Sequence, residues 1–128
     1  MPSADGQFEV TMTPGQDTDN LITAYTLAKT FFGELVATSS GHMLAATTPT
    51  EGSAGYVAME RVTGTLHGRH GSFVLQHSGT MARGVGLLEV SVVPDSGTDD
   101  LAGLTGDMAI DVSDGVHHYA FTYEFDQD

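Results

Sequence analysis

The dipeptide Asp114-Gly115, set between two runs that alternate apolar and polar residues, constrains the fold of this chain more than any other feature. Two-residue hairpin loops favour type I′ turns, which need positive φ at both central positions, and Asp-Gly is a preferred pair. With that loop Ser113 pairs with Val116, so Val112 faces His117, Ile110 faces Tyr119 and Met108 faces Phe121. One face then carries Met108, Ile110, Val112, His117, Tyr119, Phe121, Tyr123 and Phe125, and the other carries Asp107, Asp111, His118, Thr122 and Glu124. Side chains alternate with a period of two along a strand, so this separation marks a hairpin with one buried face.

The same reasoning extends upstream. Gly68-Arg69 suits a type II′ loop, which takes Gly first. That loop predicts His67 opposite His70, Gly64 opposite Phe73, Val62 opposite Leu75 and Glu60 opposite His77. A turn at Arg83-Gly84 pairs Ala82 with Val85 and sets His77 opposite Val90. One continuous face results: Tyr56, Ala58, Glu60, Val62, Leu66, Phe73, Leu75, His77, Met81, Leu88, Val90 and Val92. It is apolar except at Glu60, His77 and the Tyr56 hydroxyl.

Short strand-like runs recur in the remainder, separated by Gly, Pro, Asp and Ser. Gln7–Thr13 places Phe8, Val10 and Met12 on one face, and Pro14-Gly15 closes it. Leu21–Ala37 is apolar on both faces, with Gly33 as a bulge or bend. Ser39-Ser40-Gly41 turns into a strand over His42–Thr47, and Asp95–Gly106 is a Gly-rich connection with room for one helical turn. Residues 1–6 read as a loose N-terminal segment. The pattern predicts an all-β fold, a closed antiparallel barrel of about eight strands, in one domain spanning the chain.

Composition narrows the function. The formal net charge is −13, with Lys29, Arg61, Arg69 and Arg83 as the only basic residues besides histidine. Such a chain cannot neutralise phosphates, which excludes nucleic acid and anionic membrane surfaces as partners. The absence of cysteine excludes thiolate catalysis, disulfides and Cys-based zinc sites. No apolar run reaches membrane-spanning length, and the first residues show no basic segment followed by an apolar one, so a cytoplasmic protein is expected. No metal is expected either. His67 and His70 flank a turn without a carboxylate partner, and adjacent His117 and His118 point to opposite faces. The Gly-rich segments near Ser96 and Gly103 lack the lysine and helix of a phosphate loop, and no cofactor motif stands out.

Three blocks together resemble a known family. They are Gly55–Glu60, Gly64–His77, and Ser96-Gly97-Thr98 with Leu101-Ala102-Gly103-Leu104-Thr105-Gly106. They resemble an uncharacterised bacterial family of unknown-function domains whose fold is similar to the allene oxide cyclase barrel. The resemblance covers nearly the whole chain. It implies an eight-stranded antiparallel barrel, usually oligomeric, and no established reaction. Relatives on this barrel include cyclases that fold a reactive substrate in an apolar cavity, but a shared fold does not carry function.

Glu60 and His77 are the candidate catalytic residues. A carboxylate and an imidazole on one apolar wall form a general acid/base pair, or a buried polar pair that only satisfies itself. Tyr56, Phe73, Tyr119 and Tyr123 are the candidate ligand-binding residues, the tyrosines as donors to a ligand oxygen. The aromatic residues Phe73, Tyr119, Phe121 and Tyr123 favour a filled barrel, whereas Ala24, Ala28, Ala58, Gly64 and Gly79 favour space. Three readings follow: a barrel binding a small apolar or amphipathic molecule, a cofactor-free cyclase or isomerase using the Glu60/His77 pair, and a structural oligomer with a filled interior. The two-faced Leu21–Ala37 stretch predicts a homo-oligomer, its outer face meeting another subunit.

Overall fold

Burial alternates with a period of two along stretches of several strands, and the strands close into an antiparallel ring. The computed structural model describes residues 2–17 and 21–126. The strands are β1 (Ser3–Asp17), β2 (Ile22–Gly33), β3 (Leu35–Thr47), β4 (Ala54–Leu66), β5 (Arg69–Ala82), β6 (Val85–Val92), β7 (Leu104–Ser113) and β8 (Val116–Phe125). Each pairs with its sequence neighbour, and β1 pairs with β8, giving a closed eight-stranded barrel. A single 3-10 turn, Asp99–Leu101, lies in the β6–β7 connection and buries Leu101.

Two of the turns read from sequence hold as expected. Ser113 pairs with Val116 and Ala82 with Val85, and positive φ occurs at Asp114, Gly115, Arg83 and Gly84. The central turn differs. Leu66 pairs with Arg69, so the loop is His67-Gly68, not Gly68-Arg69. His67 has φ 46° and Gly68 φ 80°, the signs of a type I′ turn. Histidine tolerates the left-handed region better than most residues, and here its ring is tied to Glu34 and Tyr123. The register moves by two, so Glu60 faces Leu75, Ala58 faces His77 and Val62 faces Phe73. An even shift keeps every side chain on its expected face.

The N-terminal half departs further. Leu21–Ala37 is not one strand: Gly33, at φ 103°, and Glu34 form the turn between β2 and β3. Ser39-Ser40-Gly41, read as a turn, lies within β3 and pairs with β2 and β4. Pro14-Gly15 lies within β1. Residues 3–6, read as loose, pair with β8 through Ser3–Thr122 and Gly6–Tyr119 and close the barrel.

The interior divides along the barrel axis. At the end of the β2–β3 and β4–β5 turns it is packed by Phe31, Leu35, Leu66, Phe73, Leu101, Leu104 and Phe121, each no more than 1% exposed. At the end of the β3–β4, β5–β6 and β7–β8 connections it is hollow. A cavity of about 570 Å³ lies there, walled by Ala45, Ala46, Ala54, Ala58, Gly55 and Gly79 with Val10, Leu27, Met43 and Ile110. An eight-stranded barrel is narrow enough for large side chains to fill and wide enough to hold one small ligand where they are small.

Candidate functional site

The floor of the cavity is polar, and four strands, β2 to β5, build it. Glu60 on β4 is 1% exposed, and its backbone lies opposite Gly41 of β3. A Cβ at Gly41 would lie 2.1 Å from the Met59 carbonyl oxygen and 2.8 Å from the Glu60 Cβ. Glycine at 41 therefore lets the Glu60 strand approach closely. Lys29 on β2 donates from Nζ to Glu60 Oε1 at 2.8 Å, His77 Nε2 on β5 lies 2.7 Å from the same oxygen, and Ser39 Oγ donates to Oε2 at 2.6 Å. Lys29 and His77 are 7% and 3% exposed.

A buried ion pair is tolerated only when hydrogen bonds satisfy its remaining lone pairs, as they do here. Burial pushes the Glu60 carboxyl up. The His77 hydrogen bond, the Lys29 charge and hydrogen bond, and the Ser39 hydroxyl outweigh it and hold the group at about 2. Glu60 is therefore a carboxylate and accepts only, so the His77 nitrogen facing it carries the proton. The other ring nitrogen, Nδ1, faces the Tyr56 hydroxyl at 3.4 Å. Burial, and then the charge of Glu60, push the Tyr56 hydroxyl up, so it remains a protonated donor. Gly79 stands opposite Tyr56, and a Cβ there would lie 2.6 Å from the tyrosine ring. The Lys29 ammonium also lies over the Phe8 ring, 4.8 Å from its centroid.

Of the residues singled out from sequence, Glu60, His77 and Tyr56 come together here, and His77 and Tyr56 line the cavity. Phe73, Tyr119 and Tyr123 do not line it; they belong to the packed half. Phe73 stacks on Phe121 at 5.8 Å between centroids. The Tyr119 hydroxyl accepts from the Leu35 N–H at 2.9 Å and donates to the Phe32 carbonyl at 2.8 Å, fastening the β2–β3 turn. The Tyr123 hydroxyl bonds His67 Nδ1, whose Nε2 reaches Glu34 at 3.1 Å. His67 is thus a tie between two turns and β8. Among the described residues no group of three His, Cys, Asp or Glu side chains is placed to hold a metal.

Sequence reasoning missed Lys29 and Ser39. Leu27, Lys29 and Phe31 alternate on the inward face of β2, so period two alone points the lysine inward. Reading Ser39 as part of a turn removed it from the interior.

Residues 4–123 match the family described as "Protein of unknown function (DUF3224)". The chain is also similar to a protein of unknown function from the DUF3224 family of Shewanella oneidensis MR-1, whose crystal structure was determined at 1.84 Å resolution. The two share 46% sequence identity over 100% of this chain and 99% of that one, with a TM-score of 0.97. No curated protein matches the chain. A family match over nearly the whole length, joined to that closed barrel, makes this chain a member of the DUF3224 family.

Proposed function

We propose that the barrel binds a small apolar or amphipathic molecule in its hollow half. The observation that carries this reading is the cavity of about 570 Å³ with apolar walls and a polar floor. Ligand sites of about 300–1,000 Å³ share that construction, with a few convergent polar groups that fix orientation. A barrel serving only as a structural oligomer has no use for such a void, because an unfilled interior forfeits packing. The test is titration with N-phenyl-1-naphthylamine, a neutral probe that fluoresces in apolar surroundings. The native protein is expected to bind it saturably, and Ala58→Phe, which puts a ring into the cavity, is expected to abolish binding. Absence of saturable binding by the native protein refutes the reading.

A second reading, a cofactor-free cyclase or isomerase, is favoured by the chain of contacts from Glu60 through His77 to Tyr56. An isomerisation moves a proton between two substrate atoms and consumes nothing. In that reading Tyr56 meets the substrate, His77 Nδ1 exchanges the proton behind it, and Glu60 orients the imidazole. A carboxyl held at about 2 is too weak a base for the first role. Glu60→Gln then abolishes turnover of a substrate once one is found, whereas in a pure binder it leaves ligand affinity intact.

Self-association belongs to the same proposal. Phe32, Leu44, Val57 and Met59 are exposed on the outer wall, and sedimentation at micromolar concentration is expected to find a dimer or larger. A monomer removes this part.

A further inference from the structure

We propose that the molecule taken into the cavity is an uncharged carbonyl compound whose oxygen meets the cavity floor, bound by the Tyr56 hydroxyl and the Lys29 ammonium. This rests on the binding reading above and specifies the polar end of the ligand.

The carboxylate acceptors of the floor are already occupied. Glu60 Oε1 takes Lys29 and His77, and Oε2 takes Ser39. His77 Nδ1 faces Tyr56. Donors remain. An ammonium has three N–H groups, and Lys29 directs one at Glu60 and lies over the Phe8 and Phe31 rings, 4.8 and 5.9 Å from their centroids, faces that are weaker acceptors than a carbonyl oxygen, while also lining the cavity. The Tyr56 hydroxyl has one proton to give and lies 3.4 Å from His77 Nδ1, a long contact, so a ligand oxygen can take that proton and Nδ1 is then the one acceptor released. A floor that offers donors selects a ligand that accepts.

Charge decides between acceptors. Lys29 and Glu60 cancel each other at 2.8 Å. A ligand carboxylate brought to the floor would be a second negative charge beside Glu60 with no second fixed cation, and burying an uncompensated charge is costly. The formal charge of −13 on the chain adds a field that repels anions. A cationic ligand would meet Lys29. A carbonyl oxygen accepts hydrogen bonds without a net charge, and its hydrocarbon body suits walls made of Ala45, Ala58, Leu27 and Ile110.

The experiment uses the full chain at pH 8.5, where decanoate is fully ionised. First, 2-decanone and decanoate displace N-phenyl-1-naphthylamine from the native protein and from Tyr56→Phe. The substitution is expected to weaken 2-decanone by about threefold to tenfold, the worth of one neutral hydrogen bond. It should weaken decanoate, whose carboxylate the floor rejects, less than 2-decanone. Second, the infrared carbonyl stretch of ¹³C-labelled 2-decanone is expected to fall on binding, relative to its position in hexane, and to return toward that position in Tyr56→Phe. If the probe fails to bind, the cavity reading itself is overturned. If the probe binds but the stretch stays at its hexane position, or Tyr56→Phe weakens decanoate and spares 2-decanone, the carbonyl assignment alone is overturned. The infrared measurement on the native protein decides even if Tyr56→Phe does not fold.

Discussion

The two halves of this barrel are built on the same eight strands and differ in what those strands point inward. Toward the β2–β3 and β4–β5 turns, Phe31, Leu66, Phe73 and Phe121 meet across the axis and exclude solvent. Toward the opposite end the same strands present Ala45, Ala54, Ala58 and Gly79, and a void of about 570 Å³ remains. Lys29, Glu60 and His77 form the layer between. The difference teaches that one end of a small barrel can supply the stability while the other is left free for a ligand. Side-chain size at inward positions, not topology, divides the two.

Breaking the packed half is expected to have the largest effect. Phe121→Ala removes a fully buried ring and should lower stability by about 3–5 kcal/mol in urea unfolding. Probe affinity per folded molecule should not change, since Phe121 does not line the cavity. A loss of affinity in the folded fraction would show that the halves are not independent.

The polar layer comes next. Glu60→Gln leaves the Lys29 ammonium buried without its counter-charge and should cost about 3 kcal/mol. Lys29→Met added to it should recover part of that loss, because it removes the stranded charge. Equal losses for the single and double variants would mean that the ion pair is not what holds the layer.

Acid should act through the same group. The folded carboxyl lies at about 2, below its ordinary 4.5, so its contribution is fully present above about 4.5 and is lost as pH falls toward 2. The shift corresponds to about 3 kcal/mol over that window. Urea midpoints measured from pH 6 to pH 3 should therefore fall more steeply for the native protein than for Glu60→Gln. Parallel curves would contradict the assignment of Glu60 as the buried anion.

Filling the two halves should sharpen the contrast. Ala58→Phe adds a ring to empty space and should change stability by less than about 1 kcal/mol while blocking the probe. Ala37→Phe, in the packed half opposite Gly64, should cost about 1–3 kcal/mol through overpacking. Similar costs for both would mean that the cavity closes around its walls.

Much of this was legible in the residues. Asp114-Gly115 and Arg83-Gly84 set their hairpins correctly, and the odd pairing sum of the central hairpin put Glu60 and His77 on the interior face even though the loop was placed one residue late. His67 misled because a histidine at positive φ is held by Glu34 and Tyr123, partners distant in sequence. In β2 and β3 local signals conflicted. Ser39-Ser40-Gly41 has turn chemistry, yet Gly41 is small because Glu60 passes behind it and Ser39 is polar because it bonds that carboxylate. Which inward residues fill and which leave space was not legible, since that depends on height along the barrel. Ala28, read as room inside, is exposed, and Tyr119 and Tyr123, read as ligand contacts, fasten turns at the packed end.

Methyl NMR of the protein titrated with 2-decanone tests the division most directly. The account predicts saturable shifts at Leu27, Ala45, Ala58 and Ile110, which wall the cavity, with Leu35, Leu66 and Leu104 unmoved. Shifts confined to exposed methyls such as Val36 and Val85, or none at all, would contradict it.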